Sequence, residues 1–154
     1  MATEDDWKAY RTAVVDVAPT GRPGFRIVPD RPGAVGAWPD RVAAPVVVVT
    51  AWNPGGVRLD ADANAARGRR LDADLDARAL ARWPAIGRGP VDGHHEAGVA
   101  VPGLDEDEGR ALGRLHGQAA VYVWTPGAWE VVACDSARRH TLGWRLTGVP
   151  AGRG

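Results

Sequence analysis

The chain has 154 residues, 45% hydrophobic and 25% charged, a balance that suits one globular domain with its own core. Its 19 basic and 19 acidic residues cancel, so no overall field favours nucleic acid or an anionic membrane. No stretch approaches the roughly 20 apolar residues of a membrane helix, the acidic opening "MATEDDWKAY" does not read as a signal peptide, and the single cysteine, Cys134, leaves no internal disulfide and suits a reducing cytoplasm.

The first expected helix covers residues 4–17, where Trp7, Tyr10, Val14 and Val17 recur at helical spacing. Pro19, Gly21, Pro23 and Gly24 stop it. A short strand over Phe25 to Val28 interrupts a Pro- and Gly-rich region, residues 18–45, whose stretch "PDRPGAVGAWPDRVAAP" reads as a loop or lid.

Val46 to Trp52 is apolar without alternation, so the sequence predicts a central strand covered on both faces. The second helix is expected over residues 60–82, capped by Asp60 or Asp62. Leu71, Leu75 and Ala79 form its inward row, which continues back to Asn64 and Arg67. Two short strands around "AIGRG" and "EAGVAV" follow, joined by "PVDGHH". The third helix is capped by Asp105 with Glu108 reaching back, points Ala111, Leu112 and Leu115 inward, and ends at Gly117.

"AAVYVW" and "WEVVAC" flank Pro126-Gly127 and form a β-hairpin. Its flanking residues Trp124 and Trp129 read as a packing pair, and "TLGWRLTGV" reads as an added edge strand before a flexible tail at 146–154. Paired strands between single helices imply a single-domain α+β fold: a mostly antiparallel sheet with about three helices packed on it.

The strand at 46–52 ends in "TAWNPGG". Pro54 is expected to hold Asn53 extended, and Gly55 and Gly56 permit a sharp turn or the close approach of a ligand. Asn53 then presents an amide at a rigid edge, or satisfies the turn backbone. Asn64 and Arg67 share a helical face near a first turn, where an anionic group could sit; a solvated arginine surface is the plainer alternative. Gln118 either satisfies the corner between helix and strand or projects into a site.

In "GHHEAGVAV", His94 and Glu96 share one face of a strand while His95 points the other way. Two ligands do not make a catalytic metal centre, a third would have to come from His116 or His140, and no HExxH spacing is present; no metal or cofactor is expected. Glu96, entering an apolar strand, is the candidate acid or base, because burial disfavours a charged carboxylate. An arginine-paired structural role is the competing possibility.

The motifs "TAWNP", "NAAR" leading into "LDADL", "HEAGVAV" and "GRLHGQAAVYVW", in that order over roughly residues 45–133, resemble the bacterial family known as domain of unknown function 3293. The chain departs from the pattern at His116, where an aromatic is expected, and at the glycines after Pro54. The resemblance implies no particular activity. It does imply that Asn53, Asn64, Glu96 and Gln118 belong to one set.

The expected function is therefore that of a cytoplasmic small-molecule-binding domain. Asn53, Asn64, Arg67 and Gln118 would bind a small polar or anionic ligand, and Glu96 would move a proton if a reaction occurs. A protein-interaction module or homo-oligomer is the second possibility, and a metal-dependent hydrolase using His94 or His95 a weaker third. Nucleic-acid and membrane binding are not expected.

Overall fold

The computed structural model describes residues 2–89 and 93–149. Its elements in order are α1 (Glu4–Thr12), β1 (Val14–Val17), β2 (Phe25–Asp30), β3 (Val46–Thr50), a single 3-10 turn (Pro54–Gly56), α2 (Ala61–Ala77), β4 (Trp83–Arg88), β5 (His95–Pro102), α3 (Glu106–Leu115), β6 (Ala120–Thr125), β7 (Ala128–Ala133) and β8 (Arg139–Gly148). The eight strands close into an antiparallel barrel in the order β1-β2-β8-β7-β6-β3-β5-β4. The expected α+β sheet with helices packed on it is thus overturned: the fold is mostly β, and its sheet closes on itself.

The strand that closes it is the one hidden in the expected first helix. α1 starts at a capping box, in which Thr3 Oγ1 accepts from the Asp6 N–H and the Asp6 carboxylate accepts from the Thr3 N–H. It stops at Thr12, and Val14–Val17 pairs with β2 on one side and β4 on the other. A β-branched run fits a pleated surface, and here Val15 and Val17 fill the barrel interior while Asp16 faces out between Arg26 and Arg88. The tail strand is likewise no edge: β8 pairs with both β2 and β7. It runs through Gly148, inside the region expected to be a flexible tail; residues 150–154 of that region lie outside the described residues, as do 90–92 of "PVDGHH".

Alternation along the strands sorts two cores. The outward set, Val47, Val49, Val99, Val101, Val121, Val123 and Val132, packs under Leu71 and Leu75 of α2 and Leu112 of α3. The inward set includes Val46, Val48, Ala85, Ala100, Trp124, Trp129 and Trp144. β3 belongs to both, which is why its sequence lacks alternation.

α2 ends at Ala77, short of the expected Arg82, because Ala79 turns left-handed (φ 53°) and the chain enters β4 at Trp83. In α3 the buried row is Gly109, Leu112 and Gly113, while Leu115 is 60% exposed. Ala111 is exposed too, so the inward face is rotated from the expected one. The glycines set this face: a Cβ on Gly109 would meet Val47 at 2.7 Å, and one on Gly113 would meet Cys134 Sγ at 2.5 Å.

The barrel interior has two unlike ends. At one, Trp124, Trp129 and Trp144 are fully buried, and the Pro/Gly-rich loop inserts Trp38 among them, 4.3 Å from the Trp124 ring centre. Trp38 Nε1 donates to the Val42 carbonyl, which fixes the inserted ring. This loop is a plug of the Trp-filled end. α1 covers the other end. Its Trp7 is buried against Val131 and Ala133, and Tyr122 Oη donates to the Tyr10 carbonyl at 2.9 Å.

Candidate functional site

Beneath α1 the barrel is hollow. Inward positions there are small: Val15, Ala85, Gly87, Gly98 and Ala120 stand where the opposite end carries indoles. The resulting cavity, about 610 Å³, is walled by these residues with Val48, Tyr122 and Val131, and Thr50, Asn53, Glu96 and His94 bring polar groups to it. Gly87 contributes open space, since a Cβ added there meets nothing closer than the Glu96 carbonyl at 4.0 Å. Gly98 has a different reason: a Cβ would run into the Val49 carbonyl of the neighbouring strand.

The polar group is built on three elements. β3 ends at Thr50, whose Oγ1 donates to the Ala97 carbonyl and accepts from the Trp52 N–H, turning the chain across the barrel rim. Asn53 follows in a left-handed conformation (φ 48°, ψ 57°). The extended conformation expected before Pro54 is therefore corrected. Asn tolerates this region better than most residues, and two bonds hold it there: its backbone N–H donates to Asn64 Oδ1 at 3.0 Å, and its Oδ1 accepts from the Leu59 N–H at 2.9 Å. Gly55 and Gly56 also take positive φ, as the turn requires.

Asn64, buried in the first turn of α2, also gives Nδ2–H to Asn53 Oδ1 at 3.0 Å. Asn53 Nδ2 then donates to Glu96 Oε2 at 3.2 Å, and His94 Nε2 lies 3.0 Å from the same oxygen. An ionised carboxylate only accepts, so the last contact requires the proton on Nε2 of His94. The structure thus joins Asn64, Asn53, Glu96 and His94 in one hydrogen-bonded chain reaching from α2 into the cavity. Asn53 serves its turn and reaches Glu96 at the same time.

Arg67 and Gln118 have other geometry. Arg67 Nε donates to the Ala51 carbonyl at 2.7 Å and its Nη2 to the His116 carbonyl at 2.8 Å, and Arg67 does not line the cavity. Gln118 does line it, while its Nε2 donates to the carbonyls of Trp52 and His116. Together with the Gly55 N–H on the Gly117 carbonyl, these bonds clamp the 51–56 corner to the end of α3. Gly117 (φ 74°) is required there, because a Cβ would meet Pro54 Cβ at 2.8 Å.

The histidines are dispersed. His95 faces outward against Trp52, His116 bonds Asp74 at 2.7 Å, and His140 packs on Trp7. Among the described residues no group of three or more His, Cys, Asp or Glu is placed to hold a metal ion.

The phenols of Tyr10 and Tyr122, on the wall of the hollow, are both shifted by it. Burial, then the charges of Asp6 and Glu96, push the Tyr10 phenol up to about 12. Burial raises the Tyr122 phenol as well, aided by Tyr10 and Glu96. Both stay protonated at neutral pH, and both feel negative charge. Tyr122 and the small wall residues Ala85, Gly87 and Ala120 were not among the residues singled out from sequence. Their signal is small residues at alternate strand positions, read only once the inward face is known.

Residues 49–121 match the model of the family described as Protein of unknown function (DUF3293). This span contains Asn53, Asn64, Glu96 and Gln118 and bears out the resemblance read from the motifs. Searches of curated proteins and of solved structures return no match. No helix among the described residues is long and apolar enough to cross a membrane.

Proposed function

We propose that this member of the DUF3293 family is a small-molecule-binding barrel whose site is the hollow beneath α1. The observation that carries the reading is a pocket of about 610 Å³ with apolar walls and a carboxylate, Glu96, held at its edge by Asn53 and His94. Ligand sites are commonly of this size and kind, mostly apolar with a few fixed polar groups, and barrel mouths are favoured places for them. In this reading Asn64 and Asn53 fix Glu96, and Gln118 and Arg67 hold the corner that positions Asn53.

Proton transfer is the chemistry such a site could perform. Glu96 lines the hollow where a guest would sit, and the His94 ring beside it offers a second proton-carrying group. A reaction would then be lost in Glu96→Gln while the fold persists. A buried single cysteine, with its thiol pushed up to about 11 by burial, fits a protein working in a reducing cytoplasm.

The reading is tested by amide-shift mapping of the 15N-labelled protein with a library of neutral and charged fragments. Shifts concentrated on the inward positions of β4, β5 and β6 support it. Fragments that perturb only the outer surface, or none that perturb the protein, overturn it.

A further inference from the structure

Among the described residues Glu96 is engaged through one oxygen only. Oε2 takes both the Asn53 and His94 contacts, and no described residue donates to Oε1. The side chain keeps 27% of its surface and lines the cavity. In an arginine-rich chain whose carboxylates are widely ion-paired, no described Lys or Arg forms an ion pair with it. The basic residues at the mouth do not supply one. Arg88 is paired with Asp16 at 2.9 Å, Arg58 has a partner, and Lys8 stands on α1 beside Asp5 and Asp6.

Much of the rest of the wall is apolar and aromatic. The Tyr122 ring, stacked on Trp129 at 4.6 Å, lines the hollow, and an aromatic face attracts cations. The one ionic contact of Glu96 among the described residues is the His94 ring, charged only when protonated, and its second oxygen, beside apolar walls, is best satisfied by a charged donor.

We propose that the occupant is an organic cation, a protonated amine on a compact apolar body, with its ammonium on the open oxygen of Glu96 and its body against Tyr122 and Val131. This rests on the hollow being a ligand site, and it specifies the ligand's charge. The negative potential felt by the Tyr10 phenol, from Asp6 and Glu96, has the sign that an ammonium requires. An anionic guest would meet that potential and the Glu96 carboxylate together.

The test uses three probes of one shape and different charge, benzylammonium, benzyl alcohol and benzoate, titrated into the 15N-labelled protein at neutral pH. Benzylammonium is expected to bind about tenfold or more tightly than the alcohol, with benzoate weakest and shifts centred on β4 and β5. In Glu96→Gln the advantage of the ammonium over the alcohol is expected to vanish. If that variant does not fold, the ranking of the probes on the unaltered protein still decides. Binding of the alcohol or benzoate as tightly as the ammonium overturns this inference and leaves the hollow a ligand site. Failure of all three to bind overturns both.

Discussion

Asn53 Nδ2 lies 3.2 Å from Glu96 Oε2, across 43 residues of chain, and this contact ties the turn after β3 to the cavity carboxylate. Three further bonds converge on Asn53, from the Leu59 N–H, from Asn64 Nδ2 and to Asn64 Oδ1. Asn53→Ala removes Oδ1, which leaves the Leu59 N–H without its acceptor and Asn64 Nδ2 with only the Leu59 carbonyl, and puts a Cβ without a local acceptor into a left-handed turn. Its expected cost is about 2–4 kcal/mol in urea unfolding. Asn53→Gly relieves the backbone part and is expected to be less damaging than Ala. A larger loss in Gly than in Ala would show that the backbone conformation contributes nothing.

Two helical glycines give opposite expectations from the same substitution. Gly113→Ala forces a Cβ into Cys134 Sγ and Val121, at 2.5 and 2.8 Å, and is expected to destabilise by about 1–3 kcal/mol. Gly68→Ala meets only Trp52 Nε1 at 3.9 Å and is expected to stabilise by up to about 1 kcal/mol through helix propensity. Thermal unfolding of both variants checks the sign of each.

Asp16 is 8% exposed and accepts from Arg26 at 2.6 Å and Arg88 at 2.9 Å across three neighbouring strands. Burial alone would raise its carboxyl, but the two guanidiniums outweigh burial and hold it below the usual range. A carboxyl with a depressed folded value adds stability above its unfolded value and loses it as pH falls through the folded one. Asp16→Asn is therefore expected to cost about 1–3 kcal/mol near pH 7. The gap between variant and parent melting temperatures is expected to close below about pH 4. A gap that persists unchanged into acid would contradict the ion-pair account.

Gly87→Leu puts a side chain into the hollow from near the end of β4. Because a Cβ there meets only the Glu96 carbonyl, at an ordinary contact distance of 4.0 Å, melting is expected to stay level or rise, since apolar surface gains neighbours. A fall of several degrees would mean that the space is not open.

What could be read from sequence was mostly local. The hairpin around Pro126-Gly127, the Asp105 cap and the doubly covered strand, expected over 46–52 and found over Val46–Thr50, all follow from residues within a few positions of one another. Closure was not legible, because Val14–Val17 satisfies helical spacing as well as strand alternation. The choice between them is made by Ile27 and Gly87, which lie opposite Val15 in the neighbouring strands. Missing that one strand turns a barrel into an open sheet.

The grouping of Asn53, Asn64 and Glu96 was legible through the order of the family motifs, and the structure places all three in one hydrogen-bonded chain. Arg67 and Gln118 were read from sequence as ligand-binding side chains. Their partners are backbone carbonyls of residues 51, 52 and 116, which no spacing rule announces. The hollow itself was invisible, since Ala85, Gly87 and Ala120 read as indifferent strand residues until the inward face is assigned.

The most direct test of the central claim, that the hollow beneath α1 is a ligand site, is calorimetric titration of benzylammonium into the parent protein and Gly87→Leu side by side. Saturable binding to the parent, lost in the variant while its fold persists, is the expected result. Equal binding to both would place the ligand elsewhere and contradict the claim.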